Sequence, residues 1–253
     1  MTIFQAFILG LVQGVAEFLP ISSSGFLILV PKFFDWKLQD LAFDASIHLA
    51  TLGGVIVALF PDVKRLFISE RRVIFWILLS TIPILIGGFF LEVVFGLSFR
   101  SAEIVAVSFI VWGIILYLAD HFAKEIKDAT NSVGWKRSFF IGCAQAISII
   151  PGTSRSGITI TAGLFGGLSR STATTFSFLL SIPSIAIAGS YGVWKFVNEP
   201  TDVSLFPLFV GMTTAFITSL ITIRVLRTWL AGRGTFAELA IFRIILGILI
   251  LIW

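Results

Sequence analysis

Apolar residues run along this chain in blocks of helical length, and two of the blocks are cut in the middle by polar, turn-forming residues. The uncut blocks cover 43–60, 73–91, 102–119, 172–194, 206–223 and 236–253, each close to the roughly 20 residues a helix needs to cross bilayer hydrocarbon. The cut blocks are 3–30, interrupted by LPISSSG at 19–25, and 139–168, interrupted by PGTSRSG at 151–157. Their halves hold only about 10 to 17 apolar residues, too few to span, and backbone freed by Pro and Gly at that depth has to line a protein-walled cavity. The pattern predicts an all-α polytopic membrane protein with about six full transmembrane helices plus two re-entrant, broken-helix hairpins. A transmembrane β-barrel is excluded, because its strands alternate over about ten residues, whereas FWILLSTIPILIGGFFL and FRIILGILILIW are unbroken.

The two cut blocks resemble each other. At an offset of 132 residues Phe7 matches Phe139, Gly10 matches Gly142, Gln13 matches Gln145, Ser22 matches Ser154, Ser24 matches Ser156 and Gly25 matches Gly157. Three full crossings separate the copies, an odd number, so the hairpins are expected to enter from opposite sides of one membrane domain, 1–253. The division is then a first inverted repeat at 1–119, a cytoplasmic connector at 120–138 and a second repeat at 139–253.

Composition agrees with a lipid solvent: 57% apolar, 13% charged, 27 Phe and 22 Gly. The net charge of +4 changes the picture only through its distribution. With the loop at 61–72 inside, twelve Lys and Arg fall on the cytoplasmic side and four (Lys32, Lys37, Arg100 and Lys195) fall outside, as the positive-inside rule requires. No basic patch interleaved with aromatics appears, so nucleic acid is not an expected partner. Cys143 has no partner for a disulfide, and the N-terminus lacks the positive region of a cleaved signal peptide.

Charge inside the cut blocks is the candidate chemistry. An arginine at mid-bilayer costs roughly 2.5 to 3.5 kcal/mol even on insertion scales, so Arg155 is expected to face a cavity and a partner. Glu17, in the matching segment of the first repeat, carries the opposite charge, and Gln13 shares its helix face four residues earlier. Arg155 beside a broken helix start, with Ser154, Ser156 and Thr159 as hydroxyl donors, suits a phosphate, whose oxyanions match a guanidinium fork and helix N-terminal N–H groups. A structural ion pair is the plainer account of Arg155, an interhelical hydrogen bond that of Gln13, and capping of the second half-helix that of Ser22, Ser23 and Ser24. Asp44 is read as a helix cap or outer ligand, and Glu238 and Arg243 as interfacial or helix-pairing groups.

QGVAEFLPISSSG and PGTSRSGIT resemble the two signatures of the bacitracin-resistance-type undecaprenyl-diphosphate phosphatases, and the likeness extends over FDASIHLATLGGVIV and FSFLLSIPSI to essentially the whole chain. The resemblance implies an integral plasma-membrane enzyme that hydrolyses a polyprenyl diphosphate among membrane lipids, with its active site facing the outer side. It also implies a divalent cation, Mg²⁺ or Ca²⁺, possible pairing as a homodimer, recycling of the lipid carrier for peptidoglycan synthesis, and resistance to bacitracin. Carried onto this sequence, Glu17 is the catalytic carboxylate and the one candidate metal ligand, Ser23 the nucleophile or phosphate ligand, and Arg155 the diphosphate clamp. Gln13, Ser22, Ser24, Ser154, Ser156 and Thr159 are the expected substrate-binding residues. The chain departs from the family pattern at Phe26, where a histidine is common; either Glu17 serves as the sole base, or His48, whose plainer account is a packed or helix-bridging residue, takes over proton transfer. A lipid flippase or transporter built on the same inverted-repeat cavity is the competing class.

Overall fold

The computed structural model describes residues 1–90, 101–123, 130–198, 204–232 and 234–252, without the side chains of Asn131, Lys195, Phe196 and Val197. Among these residues the regular structure is helical throughout: α1 (Ile3–Ala16), α2 (Ser23–Phe33), α3 (Leu41–Ala58), α4 (Phe60–Ile68), α5 (Arg71–Phe89), α6 (Ala102–His121), α7 (Gly134–Ala146), α8 (Arg155–Phe165), α9 (Arg170–Asn198), α10 (Leu205–Ala231) and α11 (Ala237–Ile252). Five of them, α3, α5, α6, α9 and α10, are long and apolar enough to cross a membrane. The sixth expected crossing is α11, only 16 residues over the described part.

Both cut blocks fold as pairs of half-helices. Thr2 and Gln5 start α1 with a reciprocal capping box, Gln5 N donating to Thr2 Oγ1 at 3.2 Å and Thr2 N to Gln5 Oε1 at 2.8 Å. Pro20 cannot donate a backbone hydrogen bond and crowds the preceding turn, and α1 stops at Ala16, four residues ahead of it. In the second pair a short 3₁₀ segment, Ile147–Ile149, leads to Pro151 and the turn before α8. That helical pair begins at Gly134, earlier than the expected 139, so the expected connector at 120–138 contributes its last residues to α7 and its first two to α6. Residues 124–129 of the connector lie outside the described part. The expected loop at 61–72 mostly holds α4, with Pro61 in its first turn.

Close helix contacts set where the two pairs sit. α1 packs on α10 and α7 on α5. A Cβ on Gly10 would lie 2.3 Å from the Gly211 carbonyl oxygen, and one on Gly142 would lie 2.7 Å from that of Ser80. Only glycine permits those backbones to approach so closely. Between the pairs, α3 packs on α9 and α6 on α11. The outer surface is greasy, with Phe75, Phe206, Phe209 and Val225 all more than half exposed, as a lipid-facing belt requires. Charged pairs gather where α4, α6, α9 and α10 end or begin: Arg170 Nε to Asp120 Oδ1 at 2.6 Å, and Arg227 Nη1 to Asp62 Oδ2 at 2.8 Å.

Candidate active site

Two residues with left-handed backbone make the hairpin tips. Ser22 (φ 78°) precedes α2 and Ser154 (φ 70°) precedes α8, and such a conformation costs a non-glycine residue about 1 to 3 kcal/mol. The tips then differ. Ser154 Oγ accepts from Gly157 N at 3.0 Å and caps α8, whereas Ser22 makes no capping bond to α2. The first N–H groups of a helix have no intrahelical acceptor, so the α2 start is left with donors for an anion. Gly152 completes the second tip with φ 86°, pressed against the backbone of Val105.

Glu17 is the hub. Its Oε1 accepts from Arg155 Nη2 at 2.8 Å, and its Oε2 accepts from Ser23 Oγ at 2.6 Å and from Gln13 Nε2 at 3.0 Å. His48 Nε2 stands 3.6 Å from the same Oε2. The other ring nitrogen, Nδ1, is 2.7 Å from the Asp44 carbonyl oxygen, which can only accept, so Nδ1 carries the hydrogen and Nε2 is the nitrogen left to exchange a proton at the carboxylate. Arg155 Nη1 also donates to the Ser177 carbonyl at 3.3 Å. The expected opposite charges from the two hairpins therefore meet, with Ser23, the first residue of α2, on the same carboxylate.

A cavity of about 420 Å³ opens on this cluster. Glu17, Ser22, Ser23, Ser24, Ser154, Arg155 and His48 line its polar end, and Leu27, Ile28, Ile84, Ile185 and Ala188 its apolar walls. Ser24 is the exposed hydroxyl of the first tip, with its Oγ 3.3 Å from Ser22 Oγ. The remaining expected binding residues lie behind the cavity. Gln13 is fully buried and reaches the site only through Glu17. Ser156 Oγ donates to the Leu19 carbonyl at 2.9 Å and ties the two hairpins, while Thr159 Oγ1 donates to the Arg155 carbonyl of its own helix at 2.8 Å and lies 2.7 Å from Ser177 Oγ on α9. Asp44, read as a helix cap or outer ligand, is not the cap, which is Asp40; it is buried in the first turn of α3, lines the cavity and accepts from Gln39 Nε2 at 2.8 Å. Its spacing of four from His48 was the available signal, since both fall on one face of a helix. Arg243, read as interfacial or helix-pairing, is completely buried, which rules out the interfacial reading and leaves it between helices, 5.7 Å from the Phe109 ring of α6.

The sequence profile of the bacitracin resistance protein BacA family matches residues 6–249. This chain belongs to that family. It is 38% identical over 265 residues to an undecaprenyl-diphosphatase of Aliivibrio salmonicida (strain LFI1238), across 100% of this chain and 98% of that protein. The family departure at Phe26 falls outside the cavity: the ring lies 5.7 Å from Phe109 and 6.4 Å from Phe242, between α6 and α11. A side chain there packs between helices and is absent from the cavity wall. No group of three or more His, Cys, Asp and Glu able to hold a metal occurs among the described residues, and both oxygens of Glu17 are engaged, one by an arginine. Such a donor set does not fit a resident divalent cation, which takes six or more oxygen ligands.

Proposed function

We propose that this membrane protein hydrolyses undecaprenyl diphosphate to undecaprenyl phosphate and inorganic phosphate. The observation that carries the reading is the 2.6 Å contact of Ser23 Oγ with Glu17 Oε2, beside an arginine that can exchange a carboxylate for a phosphate. The diphosphate draws Arg155 from Glu17, and the uncapped α2 start, Ser22 and Ser24 take up further phosphate oxygens. Glu17 accepts the Ser23 proton as Oγ attacks the terminal phosphorus in line; an O–P bond to Ser23 forms, the bond to the bridging oxygen breaks, and lipid monophosphate leaves. Glu17 first gives up that proton through His48; water then loses a proton to Glu17 as it attacks the phosphoserine phosphorus, the Ser23 Oγ–P bond breaks, inorganic phosphate leaves and Glu17 returns the proton to Ser23 Oγ. His48 passes protons between Glu17 and solvent. The apolar walls around Leu27, Ile185 and Ala188 suit the first isoprene units of the substrate. We further propose that Mg²⁺ or Ca²⁺ arrives as a counter-ion of the diphosphate.

The inverted-repeat organisation belongs to the same proposal. It is supported by the matched contacts, α1 on α10 against α7 on α5, and by the left-handed serines at both tips. Placement in the plasma membrane with the cavity facing outward is supported by the basic residues. His48 and Asp44 lie in the half of α3 away from the Lys64 and Arg65 end, and Ala188 and Tyr191 lie in the half of α9 away from Arg170.

The test is phosphate release from a C15 or C55 isoprenyl diphosphate by the detergent-solubilised protein. Wild type is expected to turn over, and Glu17→Ala and Arg155→Ala to lose at least about 10²-fold in kcat. Ser23→Ala with turnover near wild type makes water the direct nucleophile. Wild type that binds the lipid without releasing phosphate sinks the enzyme reading and leaves a carrier on the same cavity.

A further inference from the structure

The catalytic groups come from two different hairpins, Glu17 and Ser23 from the first and Arg155 from the second, so the distance between tips has to be held by something. The direct tie is the Arg155–Glu17 pair itself at 2.8 Å, and this is the tie that substrate must break in order to use Arg155 as a clamp. A second tie is the Ser156 Oγ bond to the Leu19 carbonyl at 2.9 Å. The third comes from outside both hairpins. Arg243, in the middle of α11, donates Nη1 to the Pro20 carbonyl at 3.0 Å, and Nη2 to the Gly152 carbonyl at 2.8 Å and the Thr153 carbonyl at 3.0 Å. Its guanidinium carbon lies 5.7 Å from the centre of the Phe109 ring on α6.

We infer that Arg243 is a positioning residue, a guanidinium staple that joins the two re-entrant tips through their backbone carbonyls and keeps Ser23 and Arg155 in register once substrate has drawn Arg155 away from Glu17. Its side chain is fully buried and absent from the cavity wall, so it acts through the tips and not on the lipid. A fork is required, because the accepting carbonyls belong to residues more than 130 positions apart and are reached from separate nitrogens. Burying an arginine with carbonyl dipoles as its hydrogen-bond partners is costly, and simple helix pairing by α11 does not need it. The carbonyls it gathers are those freed where Pro20 and Pro151 break the helices, groups that bilayer hydrocarbon cannot satisfy.

The turnover arm of the test rests on the phosphatase reading; a distance measurement does not. In a Cys143→Ser background, spin labels are placed at Phe33→Cys and Phe165→Cys, exposed positions at the far ends of α2 and α8. Pulsed dipolar spectroscopy is expected to give one narrow distance peak with Arg243 present. Arg243→Met broadens or shifts that peak, and Arg243→Lys, which keeps the charge without the fork, does so to a smaller degree. Without the labels, Arg243→Lys is expected to lower kcat by about 10²-fold, the scale of an ångström of misplacement, with KM rising far less. Arg243→Met should fall below Arg243→Lys at matched thermal stability. An unchanged distance distribution in folded Arg243→Met, or in Arg243→Lys if the methionine variant does not fold, overturns the staple. So does wild-type kcat in Arg243→Lys. Wild type without phosphate release sinks the phosphatase reading and leaves the distance result to decide the inference.

Discussion

Glu17 has four neighbours with four different jobs, and each was visible in the sequence to a different degree. Gln13 was legible because four residues along a helix share a face. Ser23 and Arg155 were legible as polar groups at a break in apolar helix. His48 was only a candidate, because its side chain reaches Glu17 by the packing of α3 beside α1, which periodicity does not encode. Its assignment predicts that His48→Ala lowers kcat by about 10²-fold or more with smaller change in KM, measured by phosphate release, since removal of a proton carrier acts on the chemical step. Phe26 makes the opposite prediction. The ring is wedged between Phe109 and Phe242, so Phe26→Ala should lower the thermal midpoint in detergent by loss of packing while phosphate release per folded molecule stays within about twofold of wild type. A collapse of turnover in folded Phe26→Ala places that residue in the chemistry after all.

At the scale of elements, the half-helices were readable from Pro and Gly, and their exact companions were not. Pro20 and Pro151 announce two breaks, but nothing in a one-dimensional pattern says that α7 lies on α5 or that α1 lies on α10. Glycine spacing records those contacts only once the partner is known. Gly142→Ala is expected to destabilise the protein by about 1 to 3 kcal/mol, because a Cβ would sit 2.7 Å from the backbone of Ser80. Gly88→Ala is the control. A methyl group on that glycine would meet nothing within 4 Å, and alanine favours helix, so the thermal midpoint in detergent should stay level or rise slightly. Equal losses at the two positions argue against the α5–α7 contact. The boundaries slipped for a related reason: α10 runs to Ala231, eight residues past the apolar block, carrying Arg224 and Arg227 beyond it, and Arg227 finds its partner in Asp62 of α4.

At the scale of the whole molecule, the asymmetry of basic residues, the charged pairs at one end and the polar cavity towards the other define a direction. Ser24 is exposed and lines the cavity, so Ser24→Cys in the Cys143→Ser background should react with a membrane-impermeant maleimide added to intact cells. Reaction only after the membrane is opened reverses the proposed orientation. Ser23 stands out from its neighbouring serines only through the family resemblance, whereas the lipid solvent, the helical class, the two broken segments and the choice of Glu17 and Arg155 as groups in need of partners follow from local chemistry: apolar run length, prolines that end helices, and charges too costly to leave in hydrocarbon. Those properties are written residue by residue, and no partner is needed to read them. Contacts between distant residues belong to the tertiary structure alone. Arg155 meets Glu17 across 138 positions, Phe26 turns away from the cavity, Ser156 and Thr159 donate to backbone carbonyls behind it, and Arg243 gathers carbonyls from both tips. The physical reason is that a buried polar group must find a partner, but which partner it finds is set by how whole helices pack, a choice made by shape over the entire fold.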